Sequence, residues 1–384
     1  MTNSDKALLL HEQWQGKIST ETKCSVKTRE DLALAYTPGV AEPCKVIAED
    51  RDAAYKYTLK SNTVAVVSDG SAVLGLGNIG PYAAMPVMEG KAVLFKEFGG
   101  VNAFPICLDT QDTEEIIETV VRIAPAFGGI NLEDISAPRC FEIEERLKER
   151  LTIPVFHDDQ HGTAIVVLAG VINALLVTGR KKETSRVVIN GAGSAGIAIA
   201  KLLLSYGFKN LTLCDRVGIL SENTPDLNWM QKQLTAVTNL DKKEGSLSDT
   251  LKGADIFIGV SAPGIVSKEM VASMNKDAIL FAMANPVPEI MPDLAKEAGA
   301  KVIGTGRSDF PNQVNNVIAF PGIFKGALES RASQITEEMK LAAAVAIAGL
   351  VAENELNEDN ILPQPFDPRV CEVVSNAVKS HVMK

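Results

Sequence analysis

The chain has no basic stripe. Its 384 residues carry 38 Lys and Arg against 48 Asp and Glu, and the formal net charge of −10 is spread over the whole length. Nucleic acid and anionic membrane surfaces, which attract clustered cations, are thereby disfavoured as partners. A Cys-x-x-Cys pair is also missing. The six cysteines, at 24, 44, 107, 140, 214 and 371, have no metal-type spacing, and they read as reduced, mostly buried thiols of a cytoplasmic protein. No apolar run reaches the roughly 18 to 20 residues a bilayer demands; the longest, 164–177 and 341–352, are broken by Asn173 or rich in alanine. The opening MTNSDKALLLHEQWQGK holds acidic groups and no long apolar core, so neither a signal peptide nor a membrane span is expected. Internal repeats and low-complexity segments are absent, which predicts order nearly throughout.

What the chain does have is a hydrophobic fraction of 46% over a length too great for one ordinary core, which predicts two domains. From residue 60 to 160, strand-like runs at 63–68, 103–108, 129–132 and 153–156 alternate with helical patterns such as 112–124, the mark of an α/β domain. Residues 164–178 (AIVVLAGVINALLVT) are apolar on nearly all faces and stop at Gly179, as a buried linking helix would. The hinge is expected near residue 163, dividing the chain into 1–163 and 164–384. The run 335–353 predicts a core or interface helix.

Acidic pairs stand where two of the first-domain strands should end: Glu133-Asp134 after GGINL and Asp158-Asp159 after IPVFH. A charged amphipathic stretch between them makes one βαβ unit, whose parallel strands would bring all four carboxylates to one crevice. An isolated Asp pair reads as a helix N-cap. Two pairs on neighbouring strands would repel by several kcal/mol unless a cation or protons neutralise them, so a hard divalent metal, Mg²⁺ or Mn²⁺, is expected. His157 and His161 flank Asp159 and could suggest zinc, but the oxygen-rich set favours the harder ions, with the histidines as supporting or packing groups. His11 and His381 carry no signal.

In the second half, the β-branched run 186–190 leads into Gly191-Ala192-Gly193-Ser194-Ala195-Gly196, a helix through 204, a second strand at 211–214 and Asp215. This strand–glycine–helix context is that of a dinucleotide-binding turn. Gly191 would allow the tight turn, Gly193 the approach of a pyrophosphate to Ser194 and Ala195 at the helix start, and Gly196 the helix–strand packing. Asp215 would take the adenine ribose hydroxyls and favours NAD, while the neighbouring Arg216 could pair with the 2′-phosphate of NADP. Strands at 254–260, 278–283 and 301–303 would complete a doubly wound Rossmann sheet. Their ends, Ser261 to Gly264, Asn285-Pro286 and Gly304 to Gly306, suit a nicotinamide pocket.

Seven ordered segments then carry a resemblance: AYTPGV (35–40), SDGSAVLGLG (68–77), PVMEGK (86–91), LED (132–134), DDQHGT (158–163), ANP (284–286) and NNVIAFPG (315–322). Along nearly its whole length the chain resembles malic enzymes of the short bacterial type. The resemblance implies oxidative decarboxylation of L-malate to pyruvate and CO₂ with reduction of NAD(P)⁺, and a homodimer. It implies Glu133, Asp134 and Asp159 as metal ligands, with Asp158 beside them as partner of the catalytic lysine. Lys91 is implied as general base, which requires its pKa to fall from about 10.4 to about 7 or 8. Tyr36 is implied as the acid that protonates the enolate carbon, and Asn285 with Asn315 or Asn316 as amides that hold substrate carboxylate. Ala72 stands where larger relatives have a substrate-gripping arginine, so carboxylate recognition must be rearranged. The allosteric sites that the long forms carry in an extra N-terminal region are expected to be absent.

A malolactic-type reaction, which retains NAD and releases L-lactate, is the nearest alternative; short length speaks against it, because that resemblance is to longer chains. A dinucleotide-binding sensor would need none of Lys91, Tyr36 and the metal acids.

Overall fold

The computed structural model describes residues 2–73 and 75–382; Leu74, inside the SDGSAVLGLG segment, lies outside them. Four parallel strands, β1 (Thr63–Ser68), β2 (Asn102–Cys107), β3 (Gly129–Leu132) and β4 (Val155–His157), form a first sheet in the order β2-β1-β3-β4. β1 and β3 are buried along their whole length, as strands with helices on both faces must be. The chain runs from β1 to one side and then to the other, so the carboxyl ends of β1 and β3 flank a topological switch point.

The second sheet holds β5 (Arg186–Asn190), β6 (Asn210–Asp215), β7 (Gly218–Ile219), β8 (Ile256–Gly259), β9 (Ala278–Ala282) and β10 (Ala300–Thr305), in the order β10-β9-β8-β5-β6-β7. All pairs are parallel except β6 with β7. The doubly wound expectation therefore holds with one departure. Where a third parallel strand would sit, a two-residue antiparallel strand turns back on β6, pairing Cys214 with Ile219. Gly218, with φ of 95°, permits that reversal.

The linking helix spans Asp158–Thr178 rather than 164–178. It starts directly on the strand, because Asp158 and Asp159 lie in its first turn, where negative charge is favoured. The expected hinge at residue 163 falls inside this unbroken helix. Its length and composition would suit a membrane span, with mean hydropathy 1.9, but 67% of that window is buried in the protein. The helix packs against Ser194–Tyr206 and Glu337–Ala348. Asn173, in its C-terminal third, donates from Nδ2 to the carbonyls of Ala348 and Ile361, each at 2.9 Å, and so ties the C-terminal region to the core.

Phenylalanines join the two halves. Phe95, on the Gly80–Gly99 helix, meets Phe320 and Phe324 of the Phe320–Glu329 helix at ring separations of 4.7 and 5.3 Å, and Phe324 meets Phe156 of β4 at 5.8 Å. All four rings are fully buried or nearly so.

The N-terminal helices Asn3–Trp14, Arg29–Ala35 and Ala41–Glu49 bury none of their residues. They form an arm whose apolar side chains, among them Leu8, Trp14, Leu34 and Tyr36, face outward. Lys17 anchors the arm, donating from its backbone to Glu89 and from Nζ to the Pro86 carbonyl. All six cysteines are free, but the expectation that most are buried is corrected: only Cys140 and Cys214 are, while Cys24 and Cys44 are exposed because they sit on the arm.

Replacing Asn173 with Ala should strand the buried Ile361 carbonyl, while that of Ala348 keeps the Val351 N–H at 3.3 Å, and lower the unfolding free energy by about 1 to 3 kcal/mol. A urea titration should show the midpoint falling at unchanged slope.

Candidate active site

The first half of the site is a charge cluster at the carboxyl ends of the first sheet. Lys91, on the Gly80–Gly99 helix, has a side chain only 7% exposed, and its Nζ lies 2.6 Å from Asp158 Oδ2 and 2.8 Å from Glu133 Oε1. Below it, the Phe320 ring centroid is 4.2 Å from the ammonium. Asn131 donates to the far oxygen of Glu133 at 2.8 Å. Asn316 donates to Asp158 Oδ2, and the backbone N–H of Asp134 donates to Asp159 Oδ2 at 2.8 Å. Glu133, Asp158 and Asp159 thus converge on the predicted lysine, and Asp134 joins them through its backbone.

Gly162 makes room for this cluster, since a Cβ there would lie 1.9 Å from Asp158 Oδ1 and 3.2 Å from the Asn316 Cβ. One turn after Asp158 on the helix, only glycine leaves space for the carboxylate. The DDQHGT segment contained the residue, but nothing in the spacing revealed its steric role.

The Lys91 ammonium faces three carboxylates, Asp158, Glu133 and Asp159, and the proton affinities reflect it. Burial raises Asp158 to about 7; Lys91 opposes the shift and Glu133 adds to it. Burial likewise raises Glu133, against the pull of Lys91. Asp159 keeps 32% of its side chain exposed, so its upward shift by burial is the most open to solvent of the three. The expected lowering of Lys91 is corrected. Burial does work against the ammonium, but Asp158, Glu133 and Asp159 overcome it and hold its pKa above the usual lysine range. Lys91 and Asp158 both shift upward, an apparent contradiction within an ion pair. It resolves because Asp158 also answers to its own burial and to Glu133.

The donor set fits a hard divalent cation in chemistry: clustered carboxylate oxygens whose proton affinities are raised, with Asp158 Oδ1 buried and without a hydrogen-bond partner. The expected ligand set is not preassembled. Among the described residues no three acidic, histidine or cysteine side chains stand in metal-holding geometry, and Glu133 is paired with the Lys91 ammonium instead. His157 is fully buried, with Nδ1 3.7 Å from Asp159, and burial lowers its pKa. His161 turns away from the acids to Glu144, with Nε2 at 2.8 and 2.9 Å from its two oxygens. Burial brings the imidazole down to about 4. Glu144, unforeseen from the sequence, also accepts from the His157 backbone N–H at 3.2 Å and so braces the β4–helix junction.

The second half of the site is the crevice at the ends of β5 and β8. Gly191 has φ of 106°, and a Cβ there would lie 2.4 Å from the Val260 carbonyl; one on Gly196 would lie 1.8 Å from the Gly191 carbonyl. Gly193 differs: a Cβ there meets nothing within 4 Å, which leaves the open approach that a pyrophosphate at the start of the Ser194–Tyr206 helix requires. Gln231 holds this loop by donating to the Ala192 carbonyl at 3.0 Å. Asp215 ends β6, and its carboxylate accepts the backbone N–H of Arg216, whose side chain is exposed. The Ser261 hydroxyl accepts from Asn190 Nδ2 at 2.7 Å.

Asn285 precedes a cis bond to Pro286. Its amide packs against Gly306, where a Cβ would come within 2.5 Å, and its carbonyl faces Gly75 of the first domain. Asn285 therefore stands between the two halves. Of the paired amides, Asn316 joins the Lys91 cluster, whereas Asn315 Oδ1 is occupied by the Val317 N–H at 3.0 Å. Tyr36 does not join Lys91 in this chain. It ends the Arg29–Ala35 helix with 66% of its surface exposed, because the arm that carries it packs on no core.

Residues 15–148 match the family of the malic enzyme N-terminal domain, and residues 160–384 that of the malic enzyme NAD binding domain. A bifunctional malic/malolactic enzyme of Bacillus subtilis (strain 168) is 59% identical over 100% of this chain and 94% of its own length. An NAD-dependent malic enzyme of Geobacillus stearothermophilus is 62% identical over 98% of this chain and 78% of its own. The crystal structure of an NAD-dependent malic enzyme from Thermotoga maritima superposes with a TM-score of 0.94 at 53% identity, covering 97% of this chain and 98% of that one.

The raised carboxyl groups make a stability prediction. Their folded pKa values lie above the ordinary ones, so the metal-free fold holds more protons than the unfolded chain, and stability is lost as pH rises from about 4 through about 7. Mn²⁺ should therefore raise the melting temperature more at pH about 8 than at about 5.5, where protons compete for the same oxygens. Asp159→Asn should abolish most of that rise in a thermal scan.

Proposed function

The chain belongs to the malic enzyme family, and from that membership and the site's geometry we propose that it converts L-malate to pyruvate and CO₂ with reduction of NAD⁺ and a requirement for Mg²⁺ or Mn²⁺. The observation that carries this reading is the buried Lys91 ammonium 2.6 Å from Asp158 and 2.8 Å from Glu133. That cluster occupies a chain whose other half opens a glycine-lined dinucleotide crevice.

Glu133, Asp134 and Asp159 would hold the cation, which supplies Lewis-acid polarisation of the substrate's hydroxyl and, later, keto oxygen. The dinucleotide, cradled at Gly191, Gly193, Ser194, Ala195 and Gly196, supplies the hydride acceptor. Lys91 takes the C2 hydroxyl proton. The uncompensated carboxylates raise its pKa, and a divalent cation sharing them offsets that field and brings the amine toward the range a base needs. Asp158 orients Lys91 and is the adjacent acceptor to which the ammonium can pass a proton. Asn285 and Asn316 are neutral donors suited to the substrate carboxylate, and they stand in for the arginine that Ala72 replaces. Asp215 repels a 2′-phosphate and supports NAD over NADP. Arg216, exposed beside it, is the one feature that would tolerate NADP.

Tyr36 would deliver the last proton to the enolate carbon. Its exposure, and the outward apolar face of the arm, support a homodimer in which the arm of one copy covers the site of the other. A second product has support as well. Length was expected to argue against malolactic chemistry, yet a relative matched over 94% of its own length carries that name. Lactate is therefore to be assayed beside pyruvate.

Purified protein with L-malate, Mn²⁺ and NAD⁺ should accumulate NADH and pyruvate in equal amounts; lactate without NADH would overturn the oxidative reading. Lys91→Ala should cut kcat by about 10²- to 10⁴-fold while NADH fluorescence titration shows binding retained.

Subunit exchange between Tyr36→Phe and Lys91→Ala proteins should restore about a quarter of wild-type activity, because half the dimers are mixed and one site in each is intact. No restoration would mean that each subunit uses its own tyrosine.

A further inference from the structure

Glu289 has no exposed surface, and among the described residues it has no cationic partner. A carboxylate so placed persists only if hydrogen-bond donors replace its water. Three do. Oε1 accepts from the backbone N–H of Ser261 at 2.8 Å and from its hydroxyl at 3.1 Å, and Oε2 accepts from the backbone N–H of Ala284 at 3.0 Å. Ser261 opens the loop after β8, and Ala284 belongs to the loop after β9. One side chain thus clasps the two loops that rim the crevice.

The clasp is built in. Gly259, the last residue of β8, gives the carboxylate its space, since a Cβ there would lie 2.5 Å from Glu289 Cδ. The Ser261 hydroxyl, donating to Glu289, accepts from Asn190 Nδ2 at the end of β5, so the network spans β5, β8 and β9. The Val266 N–H returns to the Glu289 carbonyl at 3.0 Å and the Gly264 N–H to that of Pro288 at 3.0 Å, which closes the Ser261 loop on the segment carrying Glu289. Ser261 was expected to touch the cofactor. Its proton is directed inward, so the hydroxyl serves the clasp first.

We propose that Glu289 is a positioning residue for the nicotinamide half of the dinucleotide: it sets the Ser261 and Asn285 loops across the switch-point crevice and leaves the adenosine half, held by the Gly191–Gly196 turn and Asp215, untouched. The assignment rests on the dinucleotide reading of the second sheet. It predicts a division within one ligand that a general structural role would not produce.

The test compares NADH with ADP-ribose, which lacks nicotinamide, by fluorescence titration and competition on the full-length protein. Glu289→Gln keeps the shape but puts an NH₂ group against an N–H donor. It should weaken NADH by about tenfold, the scale of one lost hydrogen bond to a carboxylate, and leave ADP-ribose within about twofold of wild type. Gly259→Ala, which displaces the carboxylate without removing it, should reproduce the division and serves if the first variant does not fold. Equal weakening of both ligands, or no change in either, overturns the proposal, even if the melting temperature falls. A wild-type chain that binds neither ligand would instead overturn the dinucleotide reading and take the assignment with it.

Discussion

The site depends on a shortage of positive charge. Glu133, Asp134, Asp158 and Asp159 meet at the ends of two parallel strands, and the Lys91 ammonium is the cation placed among them. Burial makes each unneutralised carboxylate costly, so the cluster is balanced by the Lys91 ammonium and by raised proton affinities. In the metal-free chain the lysine is locked as an ammonium. On the function proposed above, a bound cation would relieve the same field, and charge balance would link metal occupancy to the strength of the base without any change of fold.

The packing around this cluster is as exacting as the charge. The Phe320 ring under the ammonium belongs to the phenylalanine cluster that joins the Gly80–Gly99 and Phe320–Glu329 helices to β4. Few aromatics are present in the chain, and this group sits where helices flanking one sheet meet a helix from the far end of the sequence. Above it, the missing side chain of Gly162 is what lets Asp158 sit inside the first turn of its helix. Volume and charge are therefore set by the same few residues.

Much of this was legible beforehand. β1 and β3 lie where strand-like runs placed them and β5 where a β-branched run did, and the convergence of the two acidic pairs followed from parallel strands alone. What stayed hidden was non-local. The spacing around Gly162 and Gly259 gives no sign that each makes room for a carboxylate contributed by a neighbouring turn or loop. The direction of the Lys91 shift depends on how many acids surround it, which spacing does not count. The segment after Asp215 folds back as a short antiparallel strand at Gly218, where the sequence reading placed no strand before residue 254. Tyr36 stands just before a Thr-Pro-Gly turn, and only the fold reveals that among the described residues the helices around it bury nothing. Glu289 follows Asn285-Pro286 so closely that it passes for part of a turn.

The helix Asp158–Thr178 begins on the acids of one sheet and ends beside the other. At 1.5 Å per residue its 21 residues make a rod about 30 Å long. It is stiffened by burial and pinned toward its C-terminal end by Asn173. Such a rod is a lever. A tilt of about 4° about its far end would carry the two aspartates roughly 2 Å, comparable to a metal–oxygen bond. Any rocking of the dinucleotide half against the first sheet is therefore magnified at the carboxylates, and mechanical stiffness in the linking helix becomes a condition of chemical accuracy at the site.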